Sequence, residues 1–357
     1  MTAIAILGAG RWGTHLLRNF LGQEQAQVIA IVDPNPQRLT QIQTQFSLSP
    51  SIQLLTDWRS LWTPDFRADF GLDAIVVATP ASTHFEIIEA ALTRNLHVLA
   101  EKPLALTVAE SEQLTVLADR HQRQLVIDHT YLFHPAVQAG RSICSELGAL
   151  HYGYASRTHL GPVRQDVDVL WDLAIHDIAI VNYWLGAFPL EVQAIGQQWL
   201  ANPGLGNPGL ANPGRNRTRN DRSGLADLVW ANLLYPGGIT IQLHFCWNNP
   251  DKQRRLVLVG DRGALIFDEL AADPLVLQRG SFREVEGFPF APTPVQREAI
   301  VFPAQEPLAQ VCRHFLDCVA SGESSPISNG TIGTELVRIL VALSRSQEQN
   351  GLRIPVS

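Results

Sequence analysis

The chain has 357 residues, of which 46% are hydrophobic and 17% charged, a length that favours about two domains with large cores. Its formal net charge of -7 argues against nucleic acid or an anionic membrane surface as the main partner. The N-terminal apolar stretch lacks the basic residues of a signal peptide, and polar residues interrupt the longest apolar window, around 173–190. We therefore expect a cytoplasmic protein with no membrane association.

Four cysteines are spread along the chain, and their spacing is not that of a metal site or a redox pair. No two of them form a Cys-x-x-Cys motif, and no run of His and Cys has the spacing of zinc ligands. We interpret them as reduced thiols in the core and expect no bound metal. They are Cys144, Cys246, Cys312 and Cys318.

The first motif joins a predicted strand, 3–7, to a predicted helix, 14–22, through Gly8-Ala9-Gly10-Arg11-Trp12-Gly13. In a G-x-G-x-x-G turn the glycines permit a tight turn, close approach of the backbone to a pyrophosphate and close helix packing. A second strand, 28–32, ends in Asp33, 20 residues after Gly13, where a carboxylate can bind the adenosine ribose. The alternative is a plain glycine turn and a surface aspartate. The motif predicts a dinucleotide site that includes Gly8, Gly10, Arg11, Trp12, Gly13 and Asp33.

Asp33 also bears on the choice between NAD and NADP. A carboxylate about 4 Å from a 2′-phosphate is repelled by roughly 4 kcal/mol per charge pair at an effective dielectric constant of about 20. This repulsion favours NAD as the cofactor. Arg38 keeps NADP as an alternative, because its guanidinium could turn back and neutralise the phosphate.

Strand and helix patterns then alternate up to about residue 128. Helices are predicted over 36–46, 83–94 and 107–122, and strands over 73–78, 97–100 and 125–127. This order predicts a doubly wound parallel sheet, whose ligands bind beyond the carboxyl ends of the strands. Five residues lie at such strand ends, and we expect them to face the nicotinamide half of the cofactor: Thr79, Pro80, His84, Glu101 and Lys102. The alternative for Lys102 is a solvated surface lysine.

A later predicted helix, 170–185, carries an acid and an imidazole four residues apart. Asp172 and His176 should project from one face of one turn among apolar neighbours, which is costly unless the two groups serve each other. Imidazole titrates near neutrality, so His176 suits a base that takes a hydroxyl proton, while Asp172 orients the ring or binds the substrate. Lys102 could steady the developing oxyanion. The alternative is a hydrogen-bonded core histidine.

These motifs occur together, in the same order and with similar gaps, in one known family. Gly8 to Gly13, Ala78-Thr79-Pro80 with His84, Glu101-Lys102-Pro103-Leu104, and Asp172 with His176 resemble the Gfo/Idh/MocA oxidoreductases. The resemblance implies an N-terminal Rossmann domain and a C-terminal α/β domain. The latter has a large open, mostly antiparallel sheet that often pairs subunits. Further stretches resemble the branch of UDP-N-acetylglucosamine (or its uronic acid) 3-dehydrogenases: 128–137, 157–161, 169–174 and 254–260.

We predict an NAD(P)-binding domain over 1–128 and a substrate-binding and oligomerisation domain over 129–357. In the second domain a hairpin turn is predicted at Pro236-Gly237-Gly238, and two late helices are predicted over 307–321 and 331–348. The strands predicted there cover 150–157, 192–199, 228–235, 239–247, 255–259 and 264–267.

An insertion over 201–223 departs from the family pattern. It holds three tandem copies of a five-residue Asn-Pro-Gly unit, followed by a basic stretch. Such units offer turns and few core contacts, so we expect a mobile surface segment without function. The alternative is a lid or anion-binding loop that uses Arg215, Arg217 and Arg219.

The resemblance implies an NAD-dependent dehydrogenase that oxidises a secondary hydroxyl of a sugar or nucleotide sugar, with Lys102, Asp172 and His176 in the catalytic positions. Arg157 and Arg164 could pair with a carboxylate or diphosphate of the substrate, although both could be ordinary surface arginines. The rivals are an inositol or free-sugar dehydrogenase and a non-catalytic NAD-binding regulator. We expect a homodimer or homotetramer. Further candidates for substrate contact are His129, Tyr131 and Trp171.

Overall fold

The computed structural model describes residues 1–164, 167–200 and 225–357. The chain divides into two compact units: residues 1–134 with 304–337, and residues 135–303 with 338–357. We keep the two-domain division at 128 and 129 as a proposal. The compact units add that the late stretch 304–337 packs with the N-terminal part of the chain.

The first unit is built on a sheet of six parallel strands. They are β1 (Thr2–Leu7), β2 (Ala26–Val32), β3 (Gln53–Leu55), β4 (Ala74–Val77), β5 (His97–Glu101) and β6 (Leu125–Asp128). Their spatial order is β3-β2-β1-β4-β5-β6, which is the order of a Rossmann sheet. β4 is buried along its whole length, as expected for a central strand covered on both faces. The predicted doubly wound parallel sheet is confirmed.

Local sequence signals fix where the helices of this unit begin. The Asn35 side chain accepts hydrogen bonds from the backbone N–H groups of Gln37 and Arg38, and Pro36 occupies the first turn. Thr107 accepts one from the backbone N–H of Glu110, as its capping sequence predicts. The helices are α1 (Arg11–Leu21), α2 (Pro36–Phe46), α3 (Pro64–Phe70), α4 (His84–Thr93) and α5 (Val108–His121).

The second unit contains a nine-stranded sheet. Its strands are β7 (Leu150–Leu160), β8 (Glu191–Gln197), β9 (Leu228–Leu234), β10 (Thr240–Cys246), β11 (Asn248–Gly260), β12 (Gly263–Asp268), β13 (Leu275–Arg279), β16 (Gln296–Ala299) and β17 (Ile354–Pro355). The spatial order is β16-β13-β12-β11-β7-β10-β9-β8-β17. Neighbouring strands are antiparallel except β7 and β10, which pair in parallel. The mostly antiparallel sheet that we expected is therefore confirmed.

Short elements complete the second sheet region. β14 (Phe282–Val285) and β15 (Phe288–Pro292) form a separate two-stranded hairpin. The predicted turn at Pro236–Gly238 joins β9 to β10, and Gly237 there has φ of 77°, a left-handed conformation that favours glycine.

The helix predicted over 170–185 is present, but its first turn is wider than that of an α-helix. Leu170–Ala174 forms a π-helix, which continues directly into α7 (Ile175–Leu185). Isolated π turns inside helices are frequent at functional sites. The remaining helices are α6 (Pro135–Ile143), α8 (Pro307–Ser321) and α9 (Gly330–Glu348).

The chain leaves and re-enters the second sheet at neighbouring positions on either side of the predicted insertion. Gln197 at the end of β8 pairs with Leu228 at the start of β9. The buried Asp227 carboxylate accepts hydrogen bonds from the backbone N–H groups of Trp199 and Leu200, each at 2.6 Å. The insertion itself, 201–223, and the lid suggested for it lie outside the described residues.

The four cysteines are buried and form no disulfide, as predicted. Burial raises the pKa of Cys144 to about 12 and that of Cys318 to about 11, so these thiols stay protonated at neutral pH. In the part of the chain that the structure describes, no helix is long and apolar enough to cross a membrane. Over the same ranges, no group of three or more His, Cys, Asp or Glu side chains is placed to hold a metal ion.

Candidate active site

The glycine motif forms a tight turn between β1 and α1, and two of its glycines are required by packing. Gly8 has φ of 95°, and a Cβ atom on it would lie 2.5 Å from the carbonyl oxygen of Ala78. A Cβ on Gly13 would lie 1.8 Å from the carbonyl oxygen of Gly8, far inside van der Waals contact. The absence of side chains at Gly8 and Gly13 therefore allows β1, α1 and the end of β4 to pack closely.

Gly10 differs from the other two glycines of the motif. Apart from its chain neighbours, a Cβ on it would meet no atom of the described residues within 4 Å, and its backbone lies at φ −67° and ψ −166°, which any residue can adopt. Packing within the chain therefore does not explain this glycine. Gly10 caps the N-terminus of α1, where N–H groups and the helix dipole favour an anion, and the missing side chain leaves room for a pyrophosphate. The turn fits a dinucleotide.

Asp33 lies at the carboxyl end of β2, as predicted. Its carboxylate accepts hydrogen bonds from the backbone N–H groups of Ala9 at 2.8 Å and Asn35 at 2.9 Å. These bonds fix the carboxylate beside the glycine turn, where it can accept from a ribose hydroxyl. Arg38 lies against the same turn, because its Nε donates to the carbonyl oxygen of Ala9 at 2.6 Å. Arg11 and Trp12 are exposed in the first turn of α1, and Trp12 is 45% exposed.

His84 joins the two loops that follow β4 and β5. Its side chain is 1% exposed. Nδ1 lies 2.8 Å from the carbonyl oxygen of Pro103, and Nε2 lies 3.0 Å from the carbonyl oxygen of Thr79. The structure thus places His84 beneath Thr79 and Pro80, where it fixes the backbone around them. Direct contact of His84 with a cofactor stays a prediction.

Lys102 follows the last residue of β5 and lies beside two buried acids. Glu101 pairs in register with Asp128, the last residue of β6, and their side chains lie within hydrogen-bonding reach of each other. Burial, together with the charge of Asp128, raises the pKa of Glu101 well above its ordinary value, whereas the positive charge of Lys102 lowers it. Burial also raises the pKa of Asp128, which the Thr130 hydroxyl lowers by donating at 2.6 Å.

His129 is buried next to this pair, 2% exposed. The Ser328 hydroxyl donates to the carbonyl oxygen of Ile127 at 2.7 Å, so it accepts from Nδ1–H of His129 at 2.6 Å. Nε2 is left as a buried acceptor with no hydrogen-bond partner among the described residues. His129 is therefore enclosed in the first unit, and its predicted contact with substrate stays untested. Tyr131, in the following turn, is half-buried.

The buried imidazole of His129 makes the protein sensitive to acid. Burial, and then the positive charge of Lys102, lower the pKa of His129 to about 3 from its ordinary value of 6.5. The folded state therefore binds fewer protons there than the unfolded chain. The stability that the neutral ring contributes is fully present above pH 6.5 and is lost as the pH falls towards about 3.

We expect this loss to reach about 2 kcal/mol at about pH 5. His129→Asn keeps a donor near the Nδ1 position and removes the titration. Urea unfolding at about pH 7 and about pH 5 should show a smaller drop in the free energy of unfolding for the variant, by about 2 kcal/mol. Equal drops for the two proteins would contradict the assignment.

In the second unit, Asp172 lies in the π-helical turn with donors around it. Trp247 Nε1 donates to Oδ2 of Asp172 at 3.1 Å, and Arg164 donates to Oδ1 at 3.4 Å. The Trp247 side chain is 1% exposed, so its indole is a rigid donor that holds the carboxylate. Arg164, predicted as a substrate residue, is thus brought to Asp172, with 32% of its side chain exposed.

His159 and Arg254 extend the polar surroundings of Asp172. Arg254 donates to Nδ1 of His159 at 3.0 Å. Burial lowers the pKa of His159, Arg254 lowers it further, and the negative charge of Asp172 opposes both effects. His159 is therefore neutral at neutral pH, so the positive charge of this group comes from Arg164, which donates to Asp172, and from Arg254, which donates to His159.

The turn that carries Asp172 is anchored on both sides. The Asp168 carboxylate accepts from the backbone N–H of Trp171 at 3.0 Å, and burial raises the pKa of Asp168. The indole N–H of Trp171 donates to the Ser344 hydroxyl at 2.9 Å. These bonds hold the π-helical turn, and they give the predicted substrate residue Trp171 a role in positioning Asp172.

Arg157, a predicted substrate residue, makes a buried ion pair. Its Nε lies 2.7 Å from Oδ2 of Asp177 and its terminal nitrogen 3.1 Å from Oδ1, and both side chains are 2% exposed. The paired geometry fixes α7, which carries His176, onto β7. Because the guanidinium is enclosed, the structure gives Arg157 a positioning role, and contact with substrate stays a prediction.

Breaking this pair from one side should cost stability. We expect Arg157→Met to lower the free energy of unfolding by about 3 to 5 kcal/mol, because it leaves the Asp177 carboxylate buried without its partner. The double variant Arg157→Met with Asp177→Leu removes the uncompensated charge and should recover most of that loss. Urea denaturation of the three proteins measures both effects. If the double variant were no more stable than Arg157→Met, the broken ion pair would not be the cause of the lost stability.

The comparisons with known proteins agree with this geometry. Residues 2–129 match the family described as an oxidoreductase family with an NAD-binding Rossmann fold, and residues 149–266 match the GFO/IDH/MocA C-terminal domain. The chain belongs to the Gfo/Idh/MocA family. Its N-terminal part is therefore an NAD-binding Rossmann fold, and the expected family and cofactor are confirmed.

Individual members of the Gfo/Idh/MocA family resemble this chain over about half their length. UDP-N-acetylglucosamine 3-dehydrogenase of Acidithiobacillus ferrooxidans is 30% identical over 54% of this chain and 56% of its own. The scyllo-inositol 2-dehydrogenase (NAD(+)) of Bacillus subtilis is 26% identical over 54% and 56%. The matched stretch thus spans little more than half of these curated relatives.

Solved structures of the family cover nearly the whole chain. A crystallised oxidoreductase from Magnetospirillum magnetotacticum, 28% identical, has a TM-score of 0.74 over 96% of this chain and 99% of its own. The A. ferrooxidans dehydrogenase has a TM-score of 0.77 over 98% of both chains, at 23% identity. These likenesses establish the fold along the chain, including both sheets.

Proposed function

We propose that the protein is an NAD-dependent dehydrogenase that oxidises a secondary hydroxyl of a sugar or nucleotide sugar to a ketone. One observation carries the proposal. Between residues 172 and 182, all of which the structure describes, Asp172 and His176 are the two partly exposed positions, and the other nine residues are buried. A carboxylate and an imidazole that share the accessible side of an apolar helix suit proton transfer at a bound hydroxyl.

Each residue has a proposed role. His176 takes the hydroxyl proton, and Asp172, held by Trp247 and Arg164, orients the imidazole or accepts from a substrate hydroxyl. Lys102 steadies the oxygen as it becomes negative, through its positive charge. Bound NAD supplies the acceptor for the hydride that leaves the carbinol carbon. Asp33 favours NAD over NADP, since it would repel a 2′-phosphate.

The positive charge near Asp172 supports a nucleotide sugar as the substrate class. Arg164 donates to Asp172 and Arg254 donates to the neighbouring His159, and an arginine fork is well shaped for phosphate or carboxylate oxygens. Two of the relatives described above differ in the charge of the substrate in their names, because one is named for UDP-N-acetylglucosamine and the other for the uncharged scyllo-inositol. The arginines favour the former class over an uncharged polyol.

A substrate panel tests the proposal. Purified protein is mixed with NAD and, separately, with UDP-N-acetylglucosamine, UDP-N-acetylgalactosamine, their uronic acids, myo-inositol, scyllo-inositol and free hexoses, and formation of reduced nicotinamide is followed by absorbance. We expect turnover with one UDP-sugar. Turnover with an inositol alone would replace the nucleotide-sugar class by the polyol class. NAD binding without turnover of any compound, after a search for a tightly bound cofactor, would favour a regulator.

We also propose that two copies pair through the open face of the nine-stranded sheet. Large apolar side chains are exposed on that face in neighbouring strands: Ile195 is 49% exposed, Trp230 51%, Tyr154 41% and Tyr152 49%. Ile195 and Trp230 are register partners, and Trp230 stacks on His244 at 5.3 Å. Apolar patches of this kind usually mark an interface. Analytical ultracentrifugation should find a dimer or tetramer that Trp230→Asp dissociates.

The cytoplasmic location stays a prediction.

A further inference from the structure

Two buried acids behind Lys102 have no part in the chemistry described so far. Glu101 is 8% exposed and Asp128 1% exposed, at the paired ends of β5 and β6. Oε1 of Glu101 and Oδ2 of Asp128 have no hydrogen-bond donor among the described residues, although burial of a carboxylate oxygen without a donor is costly. Such an arrangement is stable when the two carboxyl groups hold a proton between them.

We propose that Glu101 and Asp128 share one proton, carry a single negative charge between them, and act as a positioning pair that keeps Lys102 cationic. The proposal rests on the proposed function for the role of Lys102, which must carry a positive charge to steady the developing oxyanion. In this scheme the two carboxyl groups act through Lys102, and contact of Glu101 with the cofactor stays a prediction.

The charges around Glu101 and Asp128 indicate how many protons the two acids hold. Lys102 is the cation whose field reaches both carboxyl groups. Two other titratable groups beside the pair are neutral at neutral pH: His129, whose pKa burial lowers to about 3, and the Cys312 thiol of α8, whose pKa burial raises. Glu306, which acts on Cys312, is paired with Arg18. Two ionised acids would leave an excess negative charge in this interior. One shared proton leaves one negative charge, which balances Lys102.

The proton belongs mainly to Glu101. The Thr130 hydroxyl donates to Oδ1 of Asp128 and so stabilises the ionised form of that side chain. Burial raises the pKa of Glu101 well above its ordinary value, and the charge of Asp128 raises it further. Glu101 is therefore the donor and Asp128 the carboxylate of the pair. The remaining negative charge favours the protonated amine of Lys102, because an opposite charge nearby raises the pKa of a lysine.

Amide substitutions test the charge count, since glutamine and asparagine match the shapes of the acids. Glu101→Gln leaves the Asp128 carboxylate, and Asp128→Asn leaves a carboxyl at Glu101 that can ionise once its acidic neighbour is gone. Each single variant should therefore retain one negative charge and lose the shared proton. The double variant loses the charge as well.

Infrared spectroscopy of the unliganded protein reads the proton directly and needs no substrate. At about pH 7 the difference spectrum of wild type against each single variant should show the loss of one C=O stretching band of a protonated carboxylic acid. Absence of that band from wild type, or its persistence in either single variant, would overturn the shared proton. This result is independent of whether the protein turns over UDP-N-acetylglucosamine or any other compound.

The pH profile of kcat reads the effect on Lys102, with the substrate that the panel identifies. In the single variants the alkaline limb should stay in place while kcat falls severalfold. In the double variant the limb should move down by about 1 pH unit or more, because Lys102 loses its counter-charge. Asp119→Asn, on α5, removes one negative charge at the surface, as the double variant does at the pair, and serves as the control. The positioning role would be overturned if the alkaline limb stayed in place in the double variant. It would also be overturned if one single variant moved the limb as far as the double variant does.

Discussion

Replacing His176 by asparagine should lower kcat by about 10²- to 10⁴-fold, the usual contribution of a positioned acid or base. The side chain lies at the start of α7 and is half-buried, so the smaller amide should fit without a large loss of stability. KM should change little, because the imidazole is proposed to move a proton rather than to hold the substrate. Stopped-flow and steady-state absorbance of reduced nicotinamide measure both constants.

The control for His176 is His151→Asn, an exposed histidine on β7 that lies outside the proposed machinery. Unfolding temperatures of both variants show whether the fold is intact. A His176→Asn enzyme that folds normally and keeps kcat within about threefold of wild type would remove His176 from the role of base. The search for the base would then move to Asp172 and Lys102.

The second large effect is a contrast between two glycines of the same turn. Gly13→Ala places a methyl group 1.8 Å from the carbonyl oxygen of Gly8, so the free protein should lose about 3 kcal/mol or more of unfolding free energy. In Gly10→Ala the methyl group meets no atom within 4 Å in the part of the chain that the structure describes, apart from its chain neighbours, so the stability should stay within about 1 kcal/mol of wild type. Its affinity for NAD should nevertheless fall at least about tenfold, because the methyl occupies the approach of the pyrophosphate.

Urea denaturation without cofactor and calorimetric titration with NAD separate these two outcomes. The two substitutions are chemically identical and lie three residues apart, so each variant is the control for the other. If Gly10→Ala bound NAD as wild type does, the pyrophosphate would not pass over Gly10. If Gly13→Ala were as stable as wild type, the close contact with Gly8 would not be a determinant of the turn.

The sequence was sufficient to predict the sheet of the first unit, because its strands are buried apolar runs separated by helices with clear caps. Asn35 and Thr107 mark helix starts that the structure confirms. The short strand β3 and helix α3 were missed, since three half-buried residues and a seven-residue helix give little periodicity. The π-helical turn at Leu170–Ala174 was also missed, because its sequence has the same apolar pattern as an α-helix.

The candidate site was predictable where residue type alone limits the chemistry. Gly8, Gly13 and Asp33 have the placements that the fingerprint requires. Pairings between distant positions were not predictable: Trp247 with Asp172 and Arg157 with Asp177 are 75 and 20 residues apart in the chain. A single sequence shows an arginine near the helix of the proposed catalytic residues, and it does not show whether a buried aspartate already binds that arginine.

The pairing of Gln197 with Leu228 has a consequence for how this chain can vary in length. These two positions are neighbours across an antiparallel pair, and Asp227 ties the backbone of Trp199 and Leu200 at the same edge. A segment joined at two adjacent points can gain or lose repeat units without moving either strand, and doubling its length costs only about 0.6 kcal/mol in closure entropy. Tandem five-residue copies can therefore accumulate or disappear here while the register of the sheet is inherited unchanged.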